Sequence, residues 1–144
     1  MIISLRTKSF NPWNEIQNAQ TSMDFAGAFG ATAVFVGTMR DFNEGDQVTE
    51  MDLEYYPGMT EKELQRLCIE VTQDSPVLEV LVVHRVGKIY PGDDIVLVCV
   101  WSAHRAAAFD SCRSIMEILK HRAPFWKKER LIDRHRWVEK NTSG

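Results

Sequence analysis

SAHRAAAFDSCRSIMEILKHRAPFWKKE, Ser102 to Glu129, is the stretch around which the chain is organised. Ala108/Phe109, Cys112, Ile115/Met116 and Leu119 recur at the helical period, so one face of this segment is apolar and the segment reads as an amphipathic helix. Ser102 is a suitable N-cap, and Pro124 ends the helix because its ring cannot continue the backbone ladder. Phe125 and Trp126 then read as anchors for a loop that presents Lys127 and Lys128.

Charge along this helix is placed unusually. A helix start carries partial positive charge and favours acids, yet His104 and Arg105 stand there. Cations at that end suit a bound anion, because backbone N–H groups and a guanidinium together hold phosphate or carboxylate. The plainer alternative is a solvated Arg105 and a packed His104. Lys120 near the other end has its own plain reading, since lysine complements the helix C-terminus. His104 and Lys120 are sixteen positions apart, roughly 24 Å along an unbroken helix. One small ligand therefore reaches both only if two copies pair about a two-fold axis, the start of one helix meeting the end of the other.

The 144 residues fit one domain spanning 1–144, large enough for a real core. With 44% hydrophobic and 26% charged residues the composition is that of an ordinary soluble protein. No apolar run approaches the ~20 residues a bilayer span needs, and the first residues lack a signal-peptide pattern, which places the protein in the cytoplasm. Cys68, Cys99 and Cys112 are isolated and read as buried free thiols; a catalytic cysteine is the weaker alternative. No ligand spacing suggests a metal, and nothing in the pattern calls for a cofactor. The net charge of −3 conceals an asymmetry: three basic residues against eleven acids over 40–79, ten Lys/Arg against five acids over 104–140. A basic region within a mildly acidic chain favours a localised anion site over broad polyanion binding, leaving nucleic acid as a second choice.

Upstream, a strand is expected near Ile2–Thr7, then a short helix with Asn11 as N-cap and Pro12 at its first position. Ala31–Val36 reads as a buried strand ending at Gly37, followed by Thr38, Met39 and Arg40 and a loop over Asn43–Asp46. Thr49, Met51, Leu53 and Tyr55 alternate with acids, the signature of a strand with one wet face. Thr60 and Glu63 suggest a capping box for a helix with the stripe Leu64, Leu67, Cys68 and Val71, stopped at Ser75-Pro76. Val77–His84 and Ile95–Trp101 read as central strands, and His84-Arg85 marks a strand end or lines a site. Arg134–Val138 suggests a last short strand, and the Asn141–Gly144 tail should fray.

FVGTMRD (35–41), LEYYPGMTEK (53–62), HRVG (84–87), GDD (92–94), SAHR (102–105) and KHRAPFWKKE (120–129) occur in this order, and together they resemble the large, catalytic subunits of molybdopterin synthase over nearly the whole chain. The resemblance implies an α+β fold: an α/β-hammerhead-like single domain, mostly antiparallel sheet with two main helices. It implies transfer of two sulfurs to cyclic pyranopterin monophosphate, giving the dithiolene of molybdopterin. The implied donor is a separate, small ubiquitin-like sulfur-carrier subunit ending in a Gly-Gly thiocarboxylate; this chain ends in Ser-Gly. The implied assembly is a central homodimer with a small subunit at each end.

By the same resemblance Lys120 and Lys127 are the catalytic positions, and Thr38, Met39, Arg40, His104, Arg105, Lys128 and Glu129 contact substrate. Lys120 would polarise the thiocarboxylate and Lys127 would act as general acid/base, with clustered cations depressing each other's pKa. Phe35 and Met116 wall the pocket or simply pack the core. The chain departs from the family pattern over 130–136, which lacks a glycine-containing turn and leaves open whether Arg134 or Arg136 reaches the partner's site. Two other classes remain: an RNA or nucleotide binder, and a non-catalytic scaffold.

Overall fold

The computed structural model describes residues 1–132 and 134–138; the fraying expected for Asn141–Gly144 lies outside the described residues. In chain order the elements are β1 (Ile2–Arg6), α1 (Pro12–Thr21), β2 (Ala31–Thr38), β3 (Phe42–Asn43), β4 (Asp46–Tyr55), α2 (Met59–Thr72), β5 (Val77–Arg85), β6 (Gly87–Ile89), β7 (Asp94–Ser102), α3 (Arg105–Arg122), β8 (Phe125–Leu131) and β9 (His135–Trp137). This is the mixed α+β class, with α1 as a third helix beside the two longer ones.

Four strands form a sheet in the order β1-β5-β7-β2, antiparallel except for the parallel β1/β5 pair. β5 and β7 are central and covered on both faces, which is why their sequences are continuous apolar runs. Val80, Val82, Val98 and Val100 face α2 and α3, meeting Leu64, Cys68, Cys112, Ile115 and Leu119. On the reverse face Leu81, Val83, Leu97, Cys99 and Trp101 pack with Ala19 of α1. Each residue of these two strands thus alternates between two apolar layers.

The second sheet joins β3, β4, β8 and β9 in that order, with β6 also paired to β4. Its core contains Val48, Met51, Leu53, Val86, Ile89 and Leu131. Leu5 and Phe125 pack against the cores of both sheets, so the two meet where α3 gives way to β8.

Local physics moved several expected boundaries. Ser102 is the last residue of β7 rather than the cap of α3; its hydroxyl donates to the His104 carbonyl, and His104 takes the N-cap position. α2 begins before the Thr60/Glu63 box, because Gly58 at φ 81° turns the chain and its N–H donates to Glu61 Oε2 at 2.7 Å. β2 is an edge strand with Val34 and Phe35 exposed, where a fully buried strand was expected. A register shift between Val48 and Glu50 turns Val48 inward and leaves Thr49 exposed, so the expected alternation begins at Met51. Asn43–Asp46 is a tight hairpin: Glu44 (φ 52°) and Gly45 (φ 80°) both take the left-handed geometry of a two-residue turn. Asn11 caps α1 as expected, accepting from Trp13 N and Asn14 N.

Thr60 is fully buried and staples α2 to the corner between α3 and β8. Its Oγ1 accepts from Tyr56 N at 3.0 Å and donates to the Pro124 carbonyl at 3.4 Å. Thr60→Val keeps the shape and removes both bonds, stranding a backbone donor. A loss of about 1–3 kcal/mol is expected in denaturant unfolding; an unchanged midpoint would show that the staple carries no weight.

Candidate active site

Residues converge on the junction of the two sheets from four directions. β8 leaves the Pro124 corner with side chains alternating across the strand, so Phe125, Lys127 and Glu129 share one side and Trp126, Lys128 and Arg130 the other. The inward side faces Lys120, in the last turn of α3. β2 ends in a register shift at Gly37/Thr38, after which Met39 is pinned by its backbone to Asp93 O (2.8 Å) and Gly92 N (2.9 Å). A Cβ on Gly37 would lie 2.8 Å from Val96 Cγ1, so glycine permits the close approach of β2 and β7 there.

A cavity of about 350 Å³ results, lined by Phe35, Thr38, His84, Met116, Lys120, Phe125 and Lys127 among others. A recess of about 150 Å³ shares Thr38, Lys120 and Lys127 with it and adds Met39, Arg40, Asn43 and Glu129. The larger cavity is of the size that small-molecule sites occupy. Arg40 lies with its guanidinium carbon 4.8 Å from the centroid of the Phe42 ring.

Burial dominates the electrostatics. It holds the Lys127 amine down to about 8; Lys120 adds to the effect and Glu129 opposes it. Lys120 is lowered by burial first and then by Arg40, with Glu117 opposing. The expected mutual repulsion of cations is present, but desolvation is the larger cause in both lysines. His84 is pushed down to about 4 by burial, opposed by its bond to the Arg85 carbonyl and reinforced by Lys127 and Lys120. The site is therefore a hollow lined by basic groups in which an amine and an imidazole are held near or in their neutral forms, a setting suited to proton transfer.

Of the positions named from sequence, Thr38, Met39, Arg40, Lys120, Lys127 and Glu129 line the connected cavities, as do Phe35 and Met116. Lys128 does not: it faces the other side of β8, with Nζ 5.6 Å from the centroid of the Trp137 ring. His104 and Arg105 are exposed at the far end of an 18-residue helix, roughly 22–24 Å from Lys120 in its last turn. Trp126 is 43% exposed and packs edge-on against Tyr56 at 4.8 Å, so it is less of an anchor than Phe125. Glu129 is buried and accepts from Asn43 Nδ2 (3.1 Å) and Arg136 Nε (3.0 Å). Arg136 also donates to Asp46 (2.9 Å) and the Asn43 carbonyl (2.8 Å), which ties it to its own chain's hairpin. Sequence reading missed Asn43 and gave His84 no definite role; the signal for His84 was a lone histidine ending an apolar strand.

Fold and cavity together define the class: an α+β protein with a cavity lined by two lysines where its sheets join. The MoaE protein family profile matches residues 8–122. The molybdopterin synthase catalytic subunit of Pseudomonas aeruginosa is 47% identical over 139 residues, 96% of this chain and 91% of that one. A molybdopterin biosynthesis MoaE protein from Burkholderia ambifaria superposes with a TM-score of 0.81 at 40% identity, covering 99% of this chain and 92% of the other. The molybdopterin synthase crystal structure from Staphylococcus aureus gives 0.81 at 28% identity, covering 93% and 94%. The chain belongs to the MoaE family.

His84 links the site to stability. Its folded pKa of about 4 lies below the ordinary 6.5, so the unfolded chain takes up a proton in that interval and the folded chain does not. Stability is complete above pH 6.5 and falls toward pH 4, by on the order of 3 kcal/mol from this group. Denaturant melts from pH 7 to 4 should show that slope, and His84→Phe should flatten it.

Proposed function

We propose that this chain is the catalytic subunit of a molybdopterin synthase. It transfers two sulfurs from the thiocarboxylated C-terminus of a small ubiquitin-like subunit to cyclic pyranopterin monophosphate, forming the dithiolene. The observation that carries this reading is that Lys120 and Lys127, on different elements of the defining motif, line one cavity beside Arg40 with lowered amine pKa values.

Arg40 suits the substrate phosphate, since a guanidinium forms charge-assisted bonds to phosphate oxygens. Lys120 meets the incoming thiocarboxylate and polarises it. Lys127, poised near pH 8, gives and takes the proton as sulfur adds and the cyclic phosphate opens. His104 and Arg105 complete the anion site of a second copy across a two-fold axis, because helix length keeps them from their own cavity. The reaction takes place in the cytoplasm, and no helix among the described residues is long and apolar enough to cross a membrane.

Purified chain, thiocarboxylated small subunit and pyranopterin should yield dithiolene product. Lys120→Ala and Lys127→Ala should each lose about a hundredfold or more in rate; full activity in both would discard the mechanism. Because a neutral amine is the base, the wild-type rate should rise as pH passes through about 8, and Lys127→Arg, permanently charged, should remain inactive across that range.

The shared site has its own test. Lys120→Ala and Arg105→Ala, each impaired alone, should recover about a quarter of wild-type activity when mixed and allowed to exchange, since half the dimers then carry one intact site. A strictly monomeric active protein, or no recovery on mixing, would rule the arrangement out.

A further inference from the structure

Arg85 and Asp93, from the segments HRVG (84–87) and GDD (92–94), have no task in the sulfur-transfer scheme, yet the fold brings them together. Arg85 is the last residue of β5 and is only 4% exposed, an unusual degree of burial for a guanidinium. Its Nη2 donates to the Lys88 carbonyl at 2.7 Å and its Nη1 donates to Ser9 Oγ at 3.3 Å. Nη1 also stands 3.8 Å from Asp93 Oδ2, an ion pair. That same carboxylate oxygen accepts from Tyr90 N at 3.0 Å, while Asp93 N donates to the Tyr90 carbonyl at 2.9 Å and closes the turn. Gly92, at φ 90°, supplies the left-handed residue inside it. Arg85 thus grips the connection between β6 and β7 on both sides of its turn, at Lys88 and at Asp93.

The same turn holds the end of β2. Met39 N donates to the Asp93 carbonyl at 2.8 Å, Gly92 N donates to the Met39 carbonyl at 2.9 Å, and Thr38 Oγ1 donates to Asp94 Oδ1 at 2.9 Å. Thr38 and Met39 are fixed in this way immediately before Arg40, and all three line the recess that also contains Lys120 and Lys127. The bonds matter because β2 is an edge strand whose regular pairing with β7 shifts between Gly37 and Thr38. Beyond that shift the turn at 90–93 sets the path of the chain toward Arg40.

As a stabilising device Arg85 is poorly matched. Its carboxylate lies at 3.8 Å, and its buried Nε has no hydrogen-bond partner among the described residues. An apolar side chain of similar volume often stabilises a fold as well as a buried pair of this kind. A planar fork reaching Lys88, Ser9 and Asp93 does something an apolar residue cannot, which is to fix one shape of the connection.

We propose that Arg85 is a positioning residue for Arg40: by clamping the connection at Lys88 and Asp93 it fixes the Gly92 and Asp93 backbone groups that hold Met39, and so sets where the next guanidinium meets the substrate's phosphate. The inference rests on the sulfur-transfer reading for the identity of that anion, but not for the clamp.

Two variants and two readouts decide it. Arg85→Met keeps the apolar stem and removes the fork; Asp93→Asn keeps an oxygen for Tyr90 N and removes the charge facing Arg85. In both, amide exchange followed by NMR should quicken about tenfold or more at Met39 and Gly92, with β5 and β7 amides at wild-type rates. Unchanged exchange at Met39 and Gly92, or faster exchange throughout the sheet, overturns the proposal, the second because it shows a general loss of stability. On binding, Kd for the pyranopterin should rise about fivefold or more in each variant, while kcat stays within about twofold. Added to Arg40→Ala, either substitution should change Kd by less than about twofold, since the residue through which it acts is already gone. Full additivity with Arg40→Ala refutes the role. Should Arg85→Met fail to fold, Asp93→Asn carries both readouts. A wild type that makes no dithiolene but shows the exchange confined to Met39 and Gly92 in the variants would instead defeat the proposed function and leave the clamp standing.

Discussion

The removal of water from Lys127 is the constraint on which the site depends. An ammonium in a half-dry hollow is disfavoured whatever its neighbours, and the neighbours here are mostly positive as well. Both effects act in one direction, but burial is the larger. It exists because β8 crosses the junction of two separate cores, Phe125 contributing to both while Lys127 follows two residues later on the same side. Folding the two sheets together thus creates the amine's chemistry along with its position.

The same strand shows how fine the placement is. Phe125, Lys127 and Glu129 turn inward and Trp126, Lys128 and Arg130 outward. A slip of one residue in the β4/β8 register would turn Phe125, Lys127 and Glu129 out of the cavity and put Trp126, Lys128 and Arg130 in their place. Several contacts oppose such a slip: the Thr60 bond to Pro124 at the strand's start, the His84–Phe125 stack beside it, and Glu129 held by Asn43 and Arg136 further along. Arg136 belongs to this clamp. The charges it faces are Glu129 on β8 and Glu44 and Asp46 of its own chain's hairpin, which accounts for a basic residue in the segment that departs from the family pattern.

Much of the fold was legible because its signals are local. Val77–His84 and Ile95–Trp101 announced central strands by unbroken β-branched runs, and Asn11-Pro12 announced a helix start. Errors came where a longer-range partner overruled a local one. Ser102 has a cap's chemistry, but β7 pairs through it with both Ala31 and Val77, so the sheet claims it and His104 begins the helix. Thr60 looked like a cap and is instead a buried staple. β2 looked fully buried from its residues, yet strand order leaves it at an edge with Val34 and Phe35 open to solvent.

By itself the sequence determined the kinds of element, the cationic C-terminal third, and the residues Arg40, Lys120 and Lys127 as candidates, since spacing, charge type and motif order are properties of the chain alone. It also set a limit through helix length, because a fixed rise per residue separates His104 from Lys120 in any fold that keeps α3 intact. Only the tertiary structure decided that Lys127 rather than Lys128 enters the cavity, that His84 lies against it with one nitrogen committed to a backbone carbonyl, and that burial leads repulsion in lowering the amines. Those are consequences of which side of a strand meets which core, and that depends on registers and layers formed by residues far apart in sequence.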